Sequence, residues 1–535
     1  MRYVTFVVAA CAAALTALAS TAYADWPTDP AQNLGVAVRP SEQVLAKAGR
    51  TSDGGTYIGW FDLTGGNYDV RLQRLDPAGN PLWGPDGLLV SNHTSMSWIV
   101  NWDMIVDSAD NAVLVFSDIR SGGDLDVYAY RIGPDQQFVW GPDGITVSDN
   151  ADFEPDPTVA ETASTGQLAI VWSTLPDVGD GTLRMQRIDF DGTVAYPVNG
   201  IEIASAPGET PGFANIVPST GDDMIVSWVR DISSFFSPRH IYAQKFAADG
   251  STLWGPSPTI IYDEASVPIA YLPVLKPDGA GGAIFAWHRS MNNHFNCAVQ
   301  RAAADGTLLF PANGVVVSTS LTQQRFSPSI AFDQASGDIY AFYDERNLAQ
   351  SAWGVYGQRI SNTGQRLWGD AGKVLVPVGD RPRSFVRATL RDGGATAFWF
   401  EAPSNGSINN TVRAMAVDTN GDSVWPGAPL DVSSVLSPKD DLVVASGGGQ
   451  DTVLVWEDER NDGGDIYAQN INPDGSLGSA GCPADFNSDG AVNTLDVLAF
   501  LNAWSAGDPA ADFNNDGAVN TLDVLAFLNA WSAGC

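Results

Sequence analysis

Between Ala484 and Asp496 the chain reads Ala-Asp-Phe-Asn-Ser-Asp-Gly-Ala-Val-Asn-Thr-Leu-Asp, with side-chain oxygens recurring at alternate positions around a glycine. Calcium is a hard cation that takes six to eight oxygen ligands, and a twelve-residue loop with a glycine at its sharp turn supplies them. Asp485, Asn487 and Asp489 stand at loop positions 1, 3 and 5. Gly490 turns the chain, Ala491 offers its carbonyl at position 7, Asn493 stands at 9 and Asp496 closes the loop at 12. The pattern returns 27 residues later as Asp512, Asn514, Asp516, the Ala518 carbonyl, Asn520 and Asp523. One such loop can arise by chance in an acid-rich chain. Two with matching spacing predict two bound calcium ions.

Each loop runs into the same apolar stretch. Leu495, Val497, Leu498, Phe500, Leu501 and Trp504 surround the axis of the predicted helix, as do Leu522, Val524, Leu525, Phe527, Leu528 and Trp531 in the second copy. A helix apolar all round is buried all round. Within a module of about 50 residues one face can pack on its twin, and nothing remains to cover the other. Leu495, Leu498, Leu501 and Trp504, with Leu522, Leu525, Leu528 and Trp531, are therefore the expected partner-binding face; burial against the rest of the chain is the alternative. This segment resembles the dockerin family, specifically the GC-type form attached to secreted bacterial proteins. The Asp at loop position 12, in place of the Glu of common EF-hands, is part of that resemblance. It covers about a tenth of the chain and implies two Ca2+ ions and a cohesin-like receptor. The best-known dockerins carry a Ser-Thr-like pair at positions 10 and 11 and a basic residue later. Here the pair is Thr494-Leu495 and Thr521-Leu522, and no basic residue follows.

Elsewhere the sequence offers little recognisable chemistry. His93, His240, His288 and His294 are scattered without metal-ligand spacing. No Gly-x-Ser-x-Gly elbow, phosphate-binding glycine loop or Cys–His pairing occurs. Paired carboxylates hydrolyse glycosidic bonds, but 62 acidic residues do not single out a pair.

The elements that must carry the C-terminal segment occupy most of the 535 residues. Against 28 Lys and Arg stand 62 Asp and Glu, a net charge of −34 that disfavours nucleic acid. Arg2, the apolar run Val4 to Leu18 and Ala22-Tyr23-Ala24 form a signal-peptide pattern over residues 1–24, so export is expected. Val8-Ala9-Ala10-Cys11 resembles a lipoprotein box but falls too early in that run. No later stretch reaches membrane-span length. Export permits a disulfide, and Cys482 and Cys535 bracket the C-terminal module; Cys297 lies in an alternating, strand-like stretch.

Over residues 25–478 an aromatic follows a Gly-rich turn at Trp83, Trp140, Tyr196, Trp254, Phe310, Trp368 and Trp425, at intervals of 56 to 58 residues. Four short strands fit each interval; in the sixth they are Pro328–Phe332, Asp338–Tyr343, Trp353–Ile360 and Lys373–Val376. The eighth interval stops at Gly478, and the Trp26-Pro27 to Val38 segment resembles its missing last strand. The expected fold is all-β, an eight-bladed β-propeller of four-stranded blades closed by the N-terminal strand, plus a small all-α module. Seven blades with an irregular hairpin, or an open array, are the alternatives. A linker over 479–483 and two module repeats, 484–510 and 511–535, complete the expected layout. The repeats resemble secreted bacterial propellers with Asp-Ile-Tyr-Ala-Gln and Asp-Gly-x-x-x-Trp-Gly motifs, which implies architecture and little chemistry. Asp118-Ile119-Arg120, Asp344-Glu345-Arg346 and Asp458-Glu459-Arg460 recur as architecture would, which favours each pair pinning a hairpin over the alternative, a rim of ligand-binding groups. The expected function is a secreted, cell-surface-associated, non-catalytic binding or scaffold protein for a carbohydrate or protein ligand. The alternative is a dockerin-bearing polysaccharide hydrolase or lyase.

Overall fold

The computed structural model describes residues 25–95, 101–205, 207–232, 238–268, 271–447, 451–479, 484–487, 492–514 and 517–533. Residues 34–471 form antiparallel sheets and the C-terminal segment two helices. Each repeat folds as a meander because β-branched and aromatic runs alternate with Gly, Asp and Asn turns. In the sixth unit the strands are Gln323–Asp333, Asp338–Asn347, Trp353–Ile360 and Lys373–Gly379, in the expected order; the third has the expected bounds and the other three are longer. Middle strands such as Ala112–Asp118 and Asp126–Ile132 are buried along their whole length. Burial on both faces requires a cover on each side of the sheet.

Among the described residues there are six four-stranded sheets and one of seven strands. The seven-stranded sheet departs from the expected regular alternation. Its strand Leu430–Ser446 has no turn between units seven and eight: the first part pairs with Asn409–Asp418, the second with Thr452–Asp458. The N-terminal strand Leu34–Ala37 pairs antiparallel with Asp465–Ile471, setting Leu34 opposite Ala468.

Apolar clusters sit between successive units. Tyr57, Trp83, Trp102 and Tyr128 join the first to the second, and Phe398, Trp425, Leu454 and Trp456 join the seventh to the eighth. Trp26, Ile58, Trp60, Val453 and Ile466 join the eighth back to the first.

The recurring tryptophans, expected as core, also act as tethers. The indole N–H groups of Trp83, Trp140, Trp254, Trp368 and Trp425 donate to carbonyls in the next unit's turn: Pro134, Phe190, Ala304, Thr419 and Pro473, at 3.0–3.2 Å. Trp26 donates in the same way to Pro77 at 3.1 Å. A buried glutamine in the third strand holds the aromatic at Trp83, Tyr196, Trp254, Phe310 and Trp368, while Tyr130 and Met415 take its place before Trp140 and Trp425. Gln244 Oε1 accepts from the Trp254 N–H and its amide donates to the Gly255 carbonyl, each at 3.0 Å. Gln469 donates to Pro27 at 2.7 Å, so the eighth unit's glutamine engages the N-terminal segment.

Candidate functional site

The C-terminal helices are α1 (Thr494–Ala506) and α2 (Thr521–Ala533). Each begins where its loop ends because loop positions 9 and 12 also form the cap. Asn493 Oδ1 accepts the Leu495 N–H at 2.8 Å, and Asp496 accepts the Asn493 N–H at 2.8 Å. This reciprocal arrangement is a capping box. Asn520 and Asp523 repeat it. With its side-chain oxygen in the cap, position 9 is suited to meet calcium through water, as is common there.

Asp496 is buried, and its other oxygen accepts the Asn487 N–H at 3.2 Å. The backbone N–H of Asn493, helped by that of Asn487, holds its carboxyl below the usual range. Asp523 is held down in the same way by Asn520 and Asn514. The closing carboxylates are therefore kept ionised, as metal ligation requires. Asp489, Ala491 and Asp516 lie outside the described residues, as do Cys482 and Cys535. Among the described residues no three acidic, His or Cys side chains close on one point. The described donors Asp485, Asn487, Asp496, Asp512, Asn514, Ala518 and Asp523 supply oxygen only, which fits calcium.

The two loop–helix units pack with matching contacts. Phe500 and Phe527 stack at 4.2 Å with planes 5° apart, and both are fully buried. Phe486 stands edge-on to Phe500, and Phe513 edge-on to Phe527. Trp504 donates to the Asn520 carbonyl at 2.7 Å, and Trp531 to the Asn493 carbonyl at 2.9 Å. Both tryptophans are half-buried against this core. This corrects their expected place on the outward face: their indoles face the opposite unit. The leucines are outward. Leu495, Leu498 and Leu501 are 56, 57 and 40% exposed, and Leu522, Leu525 and Leu528 match them at 57, 58 and 40%.

In the β domain the Asp-x-Arg pairs are hairpin pins: Asp118–Arg120, Asp344–Arg346 and Asp458–Arg460 each meet at 2.5 Å. Their guanidinium groups lie over Tyr128, Phe326 and Tyr467. His288 is fully buried against Tyr271 and Phe326, which pushes it down to about 3. Cys297 is free and buried, as its strand pattern suggests.

A second arrangement was not singled out in the sequence. Glu42, Leu45, Tyr68, Asp440, Asp441 and Glu457 line a cleft of about 300 Å³ where the first unit meets the eighth. Leu45 and Asp441 have φ of 55° and 47° and sit at bulges that kink their strands. Glu457 accepts the Leu45 N–H at 2.5 Å, and Tyr68 donates to Glu42 at 2.6 Å. Burial, reinforced by Asp441, Asp440 and Glu42, pushes Glu457 up to about 8. Burial also raises Asp441. A carboxylic acid that keeps its proton at neutral pH beside other carboxylates can serve as a general acid. These residues lie about 400 positions apart in the chain, and only the junction of first and last units signals their proximity.

The duplicated loop–helix units pack their aromatic residues into one small two-helix module. Residues 483–530 match the family model of the dockerin type I domain, so the chain carries a dockerin at its C-terminus. No curated protein matches the sequence. Among solved structures, a puromycin hydrolase is similar at 12% identity and TM-score 0.43, over 81% of this chain and 61% of its own. Polysaccharide lyase Uly1 is similar at 9% identity and TM-score 0.43, over 82% and 91%. An alpha-L-arabinanase of Penicillium chrysogenum complexed with arabinobiose gives 11% and 0.31, over 60% and 94%. The chain thus spans less than two thirds of the puromycin hydrolase's length. Likenesses this distant carry no argument about chemistry.

Proposed function

We propose that this chain is an exported component of an extracellular assembly, attached by its calcium-loaded dockerin to a cohesin-bearing partner. The observation that carries this reading is the dockerin itself, a module that marks a chain for cohesin-mediated assembly. Six outward leucines supply an apolar contact face of the kind that drives association. Among the described residues no helix is long and apolar enough to cross a membrane. On this reading residues 1–24 are a signal peptide, 479–483 a linker, and Cys482 and Cys535 a clasp. Residues 25–478 are an eight-bladed propeller. The split pairing of Leu430–Ser446, the strand Leu34–Ala37 and the cluster around Trp26 support eight blades closed by the N-terminus. Calorimetric titration with a panel of cohesins, in calcium and in EDTA, tests the docking. Saturable binding that EDTA abolishes supports it, and no binding to any cohesin contradicts it.

For the propeller, the cleft at Glu457 favours the polysaccharide-cleaving reading over inert carbohydrate binding. A protonated Glu457 is suited to protonate a leaving glycosidic oxygen, with Asp440 or Asp441 as the second carboxylate. Release of new chain ends from a polysaccharide panel, lost in Glu457→Gln, supports cleavage. Saturable binding without turnover returns the domain to the binding reading.

A further inference from the structure

The hairpin loop between Ala112–Asp118 and Asp126–Ile132 reads Ile119-Arg120-Ser121-Gly122-Gly123-Asp124-Leu125 and leads directly into Asp126. Asp126 is 1% exposed, and neither of its carboxylate oxygens has a hydrogen-bond partner. Glu154 lies beside it, because its N–H donates to the Leu125 carbonyl at 3.2 Å. Glu154 is fully buried, and its Oε1 accepts from Asn150, Trp172 and Thr174 at 2.5, 3.1 and 3.3 Å. Those three donors, with the Ser148 hydroxyl beside them, fix the side chain, and Oε2 is buried without a hydrogen-bond partner. Asp124 adds a buried, unpartnered Oδ2. Arg120, the cation on this hairpin, is committed to Asp118 at 2.5 Å.

The same position in the eighth unit shows how the repeat ordinarily satisfies this carboxylate. Asp465 accepts the Arg39 N–H at 3.2 Å and the Asn461 amide at 2.7 Å. In the second unit the donor near this carboxylate is the Ser121 hydroxyl, and two acids are added. A buried polar atom without a partner calls for an explanation, of which an unseen water or ion is one. Buried unpaired carboxylates are costlier still. Burial, reinforced by Asp124, Glu154 and Asp149, pushes Asp126 up to about 7, and burial raises Glu154.

We propose that Asp124, Asp126 and Glu154 form a calcium-type site in the propeller, between its second and third units and separate from the C-terminal loops. Four carboxylate oxygens without partners suit a hard divalent cation, which accepts carbonyl and water oxygens for the remainder. Among the described residues no three acids close on one point, so binding requires Asp124 to move towards Asp126 and Glu154.

The test uses the full chain with Asp485→Ala and Asp512→Ala, so that the C-terminal loops do not contribute. Calcium is expected to raise the unfolding midpoint of the β domain by about 2 °C or more. Terbium is expected to emit when Trp172, hydrogen-bonded to Glu154, is excited, and calcium to displace it. Asp126→Asn, and separately the more peripheral Asp124→Asn, should weaken both effects at least about tenfold. If Asp126 is only a buried neutral acid, Asp126→Asn raises the calcium-free midpoint and calcium moves neither protein. That result, or a calcium shift untouched by either substitution, overturns the proposal. Should Asp126→Asn fail to fold, Asp124→Asn and the parent's own calcium response decide the question.

Discussion

Replacing Trp26 by alanine probes whether the N-terminal segment closes the ring. Its indole is 2% exposed, packs with Ile58, Trp60, Val453 and Ile466, and donates to the Pro77 carbonyl at 3.1 Å. It also lies over the turn at Gly79, where an added Cβ would stand 2.8 Å from the ring and φ is +92°. Truncating a buried tryptophan costs about 3–5 kcal/mol, and the lost hydrogen bond adds about 1 kcal/mol. Trp26→Phe isolates the hydrogen bond, because phenylalanine fills the equivalent position naturally at Phe310, beneath Gly364. The expected costs are therefore about 4–6 kcal/mol for alanine and about 1 kcal/mol for phenylalanine. Urea unfolding followed by tryptophan fluorescence measures both, with Trp83→Ala as the mid-chain equivalent. If the ring is closed, Trp26→Ala is as damaging as Trp83→Ala. A Trp26→Ala protein within about 0.5 kcal/mol of the parent, the range of surface substitutions, would refute closure at this seam.

Three further outcomes follow from the same geometry. Leu498→Asp with Leu525→Asp should abolish receptor binding while leaving calcium affinity and helix content intact, because both side chains are more than half exposed; lost helicity would place them in the core instead. Phe500→Ala removes one half of the central stack and should cost about 3–5 kcal/mol, enough to unfold so small a module without calcium; an unchanged calcium-free circular dichroism spectrum would contradict the packing. Burial holds Glu457 at about 8, Glu345 at about 7 and Asp344 at about 6, all above their values in the unfolded chain. Protons the unfolded chain has released are then kept by the folded one. The resulting stability is complete below the unfolded values near 4 and lost as pH rises through 6 to 8. Calcium-free melting should fall between pH 5 and about 8, and Glu457→Gln should flatten the fall; a melting point that climbs over this range would be inconsistent with those assignments.

What the sequence disclosed followed local chemistry. The turn glycines and the aromatic after each set the repeat phase, so the strand order of every unit was legible, as was the return of Trp26 and Leu34 to the eighth unit. Leu430–Ser446 was not read as one strand because the four-strand repeat puts a unit boundary within it, at Pro438-Lys439, where its pairing passes from Asn409–Asp418 to Thr452–Asp458. The duplicated loop pattern was legible from spacing, whereas the capping roles of Asn493, Asp496, Asn520 and Asp523 emerged only with the helices. The outward face was only half legible: identical helices without an apolar stripe do not say which side meets the twin. Packing of Phe500 on Phe527 turns Trp504 and Trp531 inward and leaves the leucines outside. The cleft at Glu457 and the cluster at Asp126 were hidden for a different reason. Each gathers acids from separate units, and in a chain with 62 acidic residues only the fold distinguishes them.

The central claim is calcium-dependent docking, and the most direct measurement is calorimetry of the full chain against a cohesin panel, with the Asp485→Ala, Asp512→Ala protein alongside. A saturable one-to-one complex is expected in calcium, lost in EDTA and lost in the double variant while the β domain stays folded. A complex that forms equally well in EDTA, or a failure of the folded, calcium-loaded chain to bind any cohesin, would contradict it.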